Sequence, residues 1–327
     1  MNILITGGSG FIGSFAVKKF VQENHKVLNI DKLTYAGNNK RLISIKNKKN
    51  YKFLKKDILD KNIIKVFNKF EPDVIINFAA ETHVDNSIKN PLSFLDTNFN
   101  GVYNLLKASK SYLEKFNNKK FFFFQISTDE VFGSTKKKSF DEKSPYLPNS
   151  PYSASKASAD FLVRSWGKTY NLPYIISYCT NNFGPYQDPE KFIPKIILNS
   201  IQKKKIPLYG NGKNIRDWTY VEDNIDAIYK ICTKGKKNTR YFVSGNNEKT
   251  NVQIISNILK KIKKIKGFDP NYLVKNVVDR KGHDFRYSLK TSKNLIKLKW
   301  KQKNNFNNNI LKTIEWYLKN KNFFSKK

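Results

Sequence analysis

At 327 residues, with 39% apolar and 14% aromatic side chains, the chain fits one large α/β domain or a main domain with a smaller lobe. Its 61 basic and 26 acidic residues leave a charge of +35, but the lysines are scattered beside asparagines rather than gathered in a stripe with aromatics, so no nucleic-acid partner is expected. No apolar run spans a bilayer, Asn2 to Thr6 is too short for a secretory segment, and the two cysteines and three histidines have no disulfide or ligand spacing; the expectation is a cytoplasmic chain with reduced thiols, no metal and no membrane contact.

Short apolar runs alternate with amphipathic segments through the first half, the pattern of βαβ units in a doubly wound parallel sheet. The first strand, Asn2 to Thr6, leads into Gly7-Gly8-Ser9-Gly10-Phe11-Ile12-Gly13 and a helix from Phe11 to Asn24. Strand, glycine turn and helix in that order are the context of a Rossmann dinucleotide site: glycines admit the tight turn and let backbone N–H groups reach a pyrophosphate, which the helix N-terminus also attracts. Gly7, Gly10, Phe11, Ile12 and Gly13 are therefore candidate cofactor contacts. The second strand, Lys26 to Ile30, delivers Asp31, whose carboxylate can accept from ribose hydroxyls and repels a 2′-phosphate, favouring NAD over NADP. Lys32 beside it softens that discrimination, and a plain turn residue is the alternative for Asp31.

Further strands are expected at Tyr51 to Lys55, Val74 to Phe78, Lys120 to Ser127, Tyr174 to Cys179 and Arg240 to Ser244, with helices at Asn98 to Phe116, Tyr152 to Tyr170 and Val221 to Cys232. The Lys120 to Ser127 strand ends in Thr128-Asp129-Glu130, at the carboxyl edge where open α/β sheets bind ligands; capping or a solvated turn is the competing reading. Tyr152 and Lys156 lie one helical turn apart, so the ammonium is expected, together with the cationic nicotinamide of NAD, to lower the tyrosine pKa toward general-base use. After Thr180 the periodicity loosens, with helices expected at Phe192 to Gln202 and Phe306 to Lys319 and helical spacing over Ile255 to Ile265. A smaller, interleaved C-terminal substrate lobe is expected: residues 1–180 with about 212–247 form the NAD-binding part, and about 181–211 with 248–327 the lobe.

Together these stretches resemble the extended short-chain dehydrogenases and, within them, the dTDP-glucose 4,6-dehydratases, over nearly the whole chain. The resemblance runs through Asp31 to Asn38, Ala79 to Asp85, Ser127 to Gly133, Pro151 to Lys156, Asn181 to Tyr186, Pro189 to Pro194, Arg216 to Trp218 and Asp279 to Asp284. The Asp129-Glu130 pair after threonine is its discriminating piece, since related epimerases lack that acid pair and related decarboxylases and GDP-mannose dehydratases typically carry only the glutamate.

The resemblance implies a tightly held NAD, regenerated each turnover, lined by Phe11, Ile12, Asp31, Lys32, Leu33, Thr34, Asp57, Ile58, Phe78, Ala79, Ala80, Glu81, Thr82, Thr97, Tyr152, Lys156 and Asn182. It implies a nucleotide-sugar side formed by Thr82, Thr128, Asn181, Lys191, Phe192, Ile193, Pro194, Lys195, Ile196, Pro207, Leu208, Tyr209, Arg216, Asn251, Asp279, Arg280 and His283. Tyr152 would take the sugar O4 proton beside Thr128, Glu130 the C5 proton, and Asp129 would protonate the departing C6 hydroxyl, with Lys156 supporting the tyrosine. A homodimer through the helices Asn98 to Phe116 and Tyr152 to Tyr170, and a place in deoxysugar synthesis of the dTDP-rhamnose type, are further family expectations. Thr82, Ser244 and Lys281 depart from the usual serine, glycine and proline and leave substrate affinity open. Another nucleotide-sugar 4,6-dehydratase, a 4-epimerase and a non-enzymatic basic polyanion-binding protein are the rival readings.

Overall fold

The computed structural model describes residues 1–279, 282–303 and 305–324; Arg280 and Lys281 lie outside the described residues. In chain order the strands are β1 (Asn2–Thr6), β2 (Lys26–Asp31), β3 (Tyr51–Lys55), β4 (Val74–Asn77), β5 (Phe122–Thr128), β6 (Tyr174–Cys179), β7 (Asn181–Phe183), β8 (Ile206–Tyr209), β9 (Ile215–Tyr220), β10 (Thr239–Val243), β11 (Glu248–Thr250) and β12 (Val274–Val277). The helices are α1 (Phe11–Gln22), α2 (Ile63–Phe70), α3 (Val84–Lys89), α4 (Pro91–Leu95), α5 (Gly101–Phe116), α6 (Pro151–Thr169), α7 (Phe192–Ile201), α8 (Val221–Lys234), α9 (Asn251–Lys266), α10 (Lys293–Lys297) and α11 (Phe306–Lys319).

Seven strands form one sheet in the order β10-β6-β5-β4-β1-β2-β3, with every neighbouring pair parallel. All seven strands expected from the sequence lie in it, and the strand order reverses between β1 and β4. Alternation builds two cores. Leu4, Ile75 and Phe123 pack toward α2, α5 and α6, whereas Ile3, Ile5, Ile76 and Phe124 pack toward α1 and α8. With both faces covered, the strands read as near-continuous apolar runs, which is why they were visible in the sequence.

A third apolar cluster lies under α7, α9 and α11 and includes Phe183, Trp218, Ile258 and Ile310. Beside it β7 pairs in parallel with β9 and β9 antiparallel with β11, while β8 pairs in parallel with β12. These strands have three to six residues, too short for a period to register.

The expected helix from Asn98 starts differently: a wide π-turn over Asp96–Asn100 precedes α5. Within that turn the Asn98 side chain exchanges hydrogen bonds with the Glu81 backbone, accepting at 2.8 Å and donating at 3.0 Å, and donates to Ser155 Oγ at 2.9 Å. The irregular turn thereby ties the loop after β4 to α6, in the manner of π-bulges at functional sites.

Candidate active site

A cleft of about 310 Å³ opens where the strand order reverses, at the carboxyl edge of β1, β4 and β5, within the size range of small-molecule sites. Its floor is the glycine turn. Gly7 adopts φ +69°, and a Cβ there would sit 2.6 Å from the Ala79 backbone nitrogen; one on Gly13 would sit 2.3 Å from the Gly7 carbonyl oxygen. Gly10 precedes α1 without a side-chain cap, so the first-turn N–H groups of Phe11 to Gly13 are presented to the cleft they line.

Asp31, at the end of β2, accepts from Ser9 N at 2.9 Å and Leu33 N at 2.8 Å, with burial pushing its carboxyl above the usual range. Lys32 reaches Asp57 at 3.4 Å, so part of its charge is already matched beside Asp31. A cradle closed to any Cβ, an uncapped helix start and an oriented carboxylate fit a dinucleotide. Of the expected cofactor residues only Leu33 does not line the cleft; its amide instead fixes Asp31, from a backbone at φ +57°.

Strand β5 carries Thr128 to the opposite wall. Its hydroxyl accepts from Glu130 N at 3.3 Å, capping the short turn Asp129–Phe132, and donates to Asp129 Oδ1 at 3.2 Å. The capping reading and the chemical one are thus both realised in one side chain. Asp129 is 2% exposed, and desolvation first, then the neighbouring Glu130 charge, raise its carboxyl well above the usual range. Its Oδ2 is buried without a hydrogen-bond partner. Adjacent acids in such different environments separate into one that keeps its proton and one turned toward a partner, the Tyr287 hydroxyl 3.5 Å from Glu130 Oε2.

Helix α6 begins with a reciprocal cap between Ser150 and Ser153 and presents Tyr152 and Lys156 to the same cleft. Lys156 Nζ donates to the Ile126 carbonyl at 2.7 Å, and burial lowers its pKa. The expected lowering at Tyr152 is absent from the protein's own groups: burial first, then the Glu130 charge, push its hydroxyl above the ordinary tyrosine value, opposed by a hydrogen bond to Thr128.

Thr82, Thr128, Asn181 and Lys191 line the cleft; Arg280 lies outside the described residues, and the other described members of the expected substrate set lie beyond the cleft. Ile193, Pro194 and Ile196 are buried on α7, and Phe192 stacks on Trp218 at 6.2 Å. The Arg216 guanidinium donates to the Ile215 and Asp284 carbonyls at 2.8 and 2.9 Å and sits 4.1 Å over the Tyr287 ring. Pro207, Leu208 and Tyr209 lie on β8; Asn251 begins α9; His283 Nδ1 meets Asp279 Oδ1 at 2.6 Å; Lys195 is half-buried on α7.

The family model for GDP-mannose 4,6 dehydratase matches residues 4–313. The chain is 45% identical to a probable dTDP-glucose 4,6-dehydratase of Sinorhizobium fredii, over 98% of this chain and 93% of that protein. The chain belongs to the dTDP-glucose 4,6-dehydratase family. Among solved structures it is similar to the Bacillus anthracis dTDP-glucose 4,6-dehydratase in complex with NAD, at 41% identity and a TM-score of 0.88, covering 99% of this chain and 98% of the other. It is also similar to the Streptomyces venezuelae dTDP-glucose 4,6-dehydratase, at 35% identity and a TM-score of 0.92, covering 99% of each chain.

In this family member two side chains at the site went unnoticed in the sequence. Tyr287, buried, joins Glu130 to Asp284, donating to Asp284 Oδ2 at 2.6 Å. Arg41, also buried, binds the Ser9 and Ala36 carbonyls and pairs with Asp188 at 2.8 Å, tying the glycine turn to the segment after β7. Each lies three residues past a quoted stretch, Arg41 after Asn38 and Tyr287 after Asp284, but a single tyrosine or arginine has no pattern of its own, and only the long-range contacts reveal them.

Proposed function

We propose that the chain converts dTDP-glucose to dTDP-4-keto-6-deoxyglucose, an NAD-dependent 4,6-dehydration in deoxysugar synthesis of the dTDP-rhamnose type. The observation that carries this reading is the Asp129-Glu130 pair, one acid buried with a raised pKa and the other beside Tyr287, in the same cleft as Tyr152 and Lys156. An oxidation or epimerisation needs only the tyrosine and lysine; an acid that holds its proton beside a second carboxyl group suits loss of water.

Gly7, Gly10 to Gly13 and Asp31 would hold NAD, which when bound would supply the hydride acceptor for C4 and the hydride for C6. Tyr152 takes the O4 proton while Thr128 holds O4. Lys156, as an ammonium, and the cationic ring oppose the upward push that burial gives the phenol. Glu130 removes the C5 proton made acidic by the 4-ketone, Asp129 protonates the leaving C6 oxygen, and water departs. The same carboxyl groups are then placed to return a proton to C5.

We read residues 1–180 with about 212–247 as the NAD-binding part and about 181–211 with 248–327 as the sugar-nucleotide lobe, with β9 at their junction. Exposed Tyr103 on α5 and Phe161 and Tyr170 on or beside α6 support a homodimer through these helices. Among the described residues no helix is long and apolar enough to cross a membrane, in keeping with a cytoplasmic enzyme.

Incubation with dTDP-glucose deuterated at C4 tests the reaction. Loss of one water with deuterium at C6 is expected; unchanged mass with inverted C4 would make the chain an epimerase.

A further inference from the structure

Tyr152, Lys156 and Asp160 follow one another at successive turns of α6, and all three are buried. Tyr152 and Lys156 line the cleft, whereas Asp160 lies behind them and is used by no step above. A carboxyl group buried this deeply carries a large desolvation cost unless its surroundings compensate. The surroundings compensate at one oxygen, while Oδ1 is buried without a hydrogen-bond partner. Ser127 Oγ, at the end of β5, donates to Asp160 Oδ2 at 2.5 Å. The Tyr146 hydroxyl and the Arg240 guanidinium of β10 also favour its charged form. Tyr146 shares a short hydroxyl–hydroxyl bond with Tyr178 of β6, and Arg240 is hydrogen-bonded to both tyrosines and to the Glu142 carbonyl.

We propose that Asp160 is the positioning residue of the Tyr152–Lys156 pair, a buried countercharge that keeps Lys156 an ammonium and so sets the alkaline limit of proton removal from the substrate. The proposal rests on the reading of Tyr152 as the base for O4.

Lys156 donates to the Ile126 carbonyl, a neutral acceptor, and burial works against its charge. Asp160 is the group that opposes burial there. The groups facing Asp160 are Lys156 and Tyr152 on its own helix, Ser127 from β5, Tyr178 from β6, Arg240 from β10 and Tyr146 from the segment before α6. Lys156 and Arg240 are the cations of this set; both favour the carboxylate through their charge, without a direct ion pair to it. Burial still pushes the Asp160 carboxyl up to about 7, so it becomes fully charged only above neutrality, while burial lowers the Lys156 pKa and the Asp160 charge opposes that lowering. Ser127 also precedes Thr128, so the Ser127–Asp160 bond fixes the end of β5 from which Thr128 and Asp129 project.

Asp160→Asn, Asp160→Glu and Tyr146→Phe test this in the full-length protein. Two readouts are needed. The first is the pH profile of C4 oxidation in single turnovers; the second is the titration of Lys156, by carbon-13 NMR at lysine Cε in the ligand-free protein, with the resonance assigned by its loss in Lys156→Met. In Asp160→Asn both the Lys156 midpoint and the alkaline limb are expected to move down by about one unit or more, as for loss of a charge at this range. Asp160→Glu should recover most of the shift, and Tyr146→Phe, outside the cleft, should give a smaller shift in the same direction. A rate lowered equally at every pH, with the Lys156 midpoint unmoved, would reduce Asp160 to a packing role and overturn the proposal. Should Asp160→Asn not fold, an unmoved midpoint in folded Tyr146→Phe overturns it equally. A Lys156 midpoint that moves in a protein with no turnover of any nucleotide sugar would retain the countercharge and reject the proposed function instead.

Discussion

Asp129 and Glu130 are neighbours in the chain with different surroundings, and the division of labour proposed for them rests on that difference rather than on residue type. Asp129 is sealed from solvent, with Oδ2 unpartnered, while Glu130 faces the Tyr287 hydroxyl. Asp129→Asn keeps the shape but removes the proton donor, so elimination should slow by about 10²–10⁴-fold with C4 oxidation much less affected, whereas Tyr152→Phe should suppress oxidation itself. Rapid-quench sampling of the 4-keto intermediate separates the two; equal loss of both steps in both variants would sink the assignment. The pH dependence has a definite sign. With its folded pKa raised, Asp129 in the proposed role donates below that value, and elimination is expected to fail as pH rises through it. The same shift enters stability, because a carboxyl that prefers to stay neutral when folded stabilises below its ordinary pKa of 3.8 and loses that contribution as pH rises. Asp129→Asn should therefore melt higher than the parent, by about 2 °C or more at neutral pH, with the gap widening toward alkaline pH in scanning calorimetry. The pair itself was legible in the sequence, but the burial that divides its roles was not.

The elements of the central sheet were legible because burial on both faces writes itself as continuous apolar runs, and β1, β3 and β6 lie at the positions the sequence marked. The glycine turn was legible for a different reason: the site needs residues without a Cβ. Gly13→Ala places a methyl 2.3 Å from the Gly7 carbonyl oxygen, a backbone atom that cannot rotate away. We expect a loss of about 1–3 kcal/mol in urea unfolding, together with weakened dinucleotide binding measured by calorimetric titration. Helix α6 offers a milder contrast. Ser150→Ala removes one half of the reciprocal cap with Ser153 and should cost about 1 kcal/mol without altering the chemistry, since neither serine lines the cleft. The π-turn before α5 escaped notice because its cause, the bonds of Asn98 to Glu81 and Ser155, lies in residues distant along the chain.

At the scale of the whole molecule, the chain closes its site with contacts that no local pattern encodes. Glu130 meets Tyr287 from 157 residues away, and Arg41 meets Asp188 from 147. The charge of +35 is another whole-molecule property, and its effect on catalysis follows from where lysines near the cleft find partners. Lys32 faces Asp57, Lys56 faces Asp60 and Lys191 faces Glu190, so these local cations are substantially matched. The excess lies on outer surfaces such as α9, where Lys260, Lys264 and Lys266 are exposed. A field from many distant charges attracts a diphosphate-bearing substrate during approach but adds little once it is bound. Raising salt from about 50 to about 500 mM should accordingly lower kcat/KM for dTDP-glucose roughly threefold or more while leaving kcat nearly unchanged. Replacing Lys260, Lys264 and Lys266 together by glutamine should flatten that dependence without changing kcat. A kcat/KM indifferent to salt in the parent would mean that substrate capture depends on contacts inside the cleft alone.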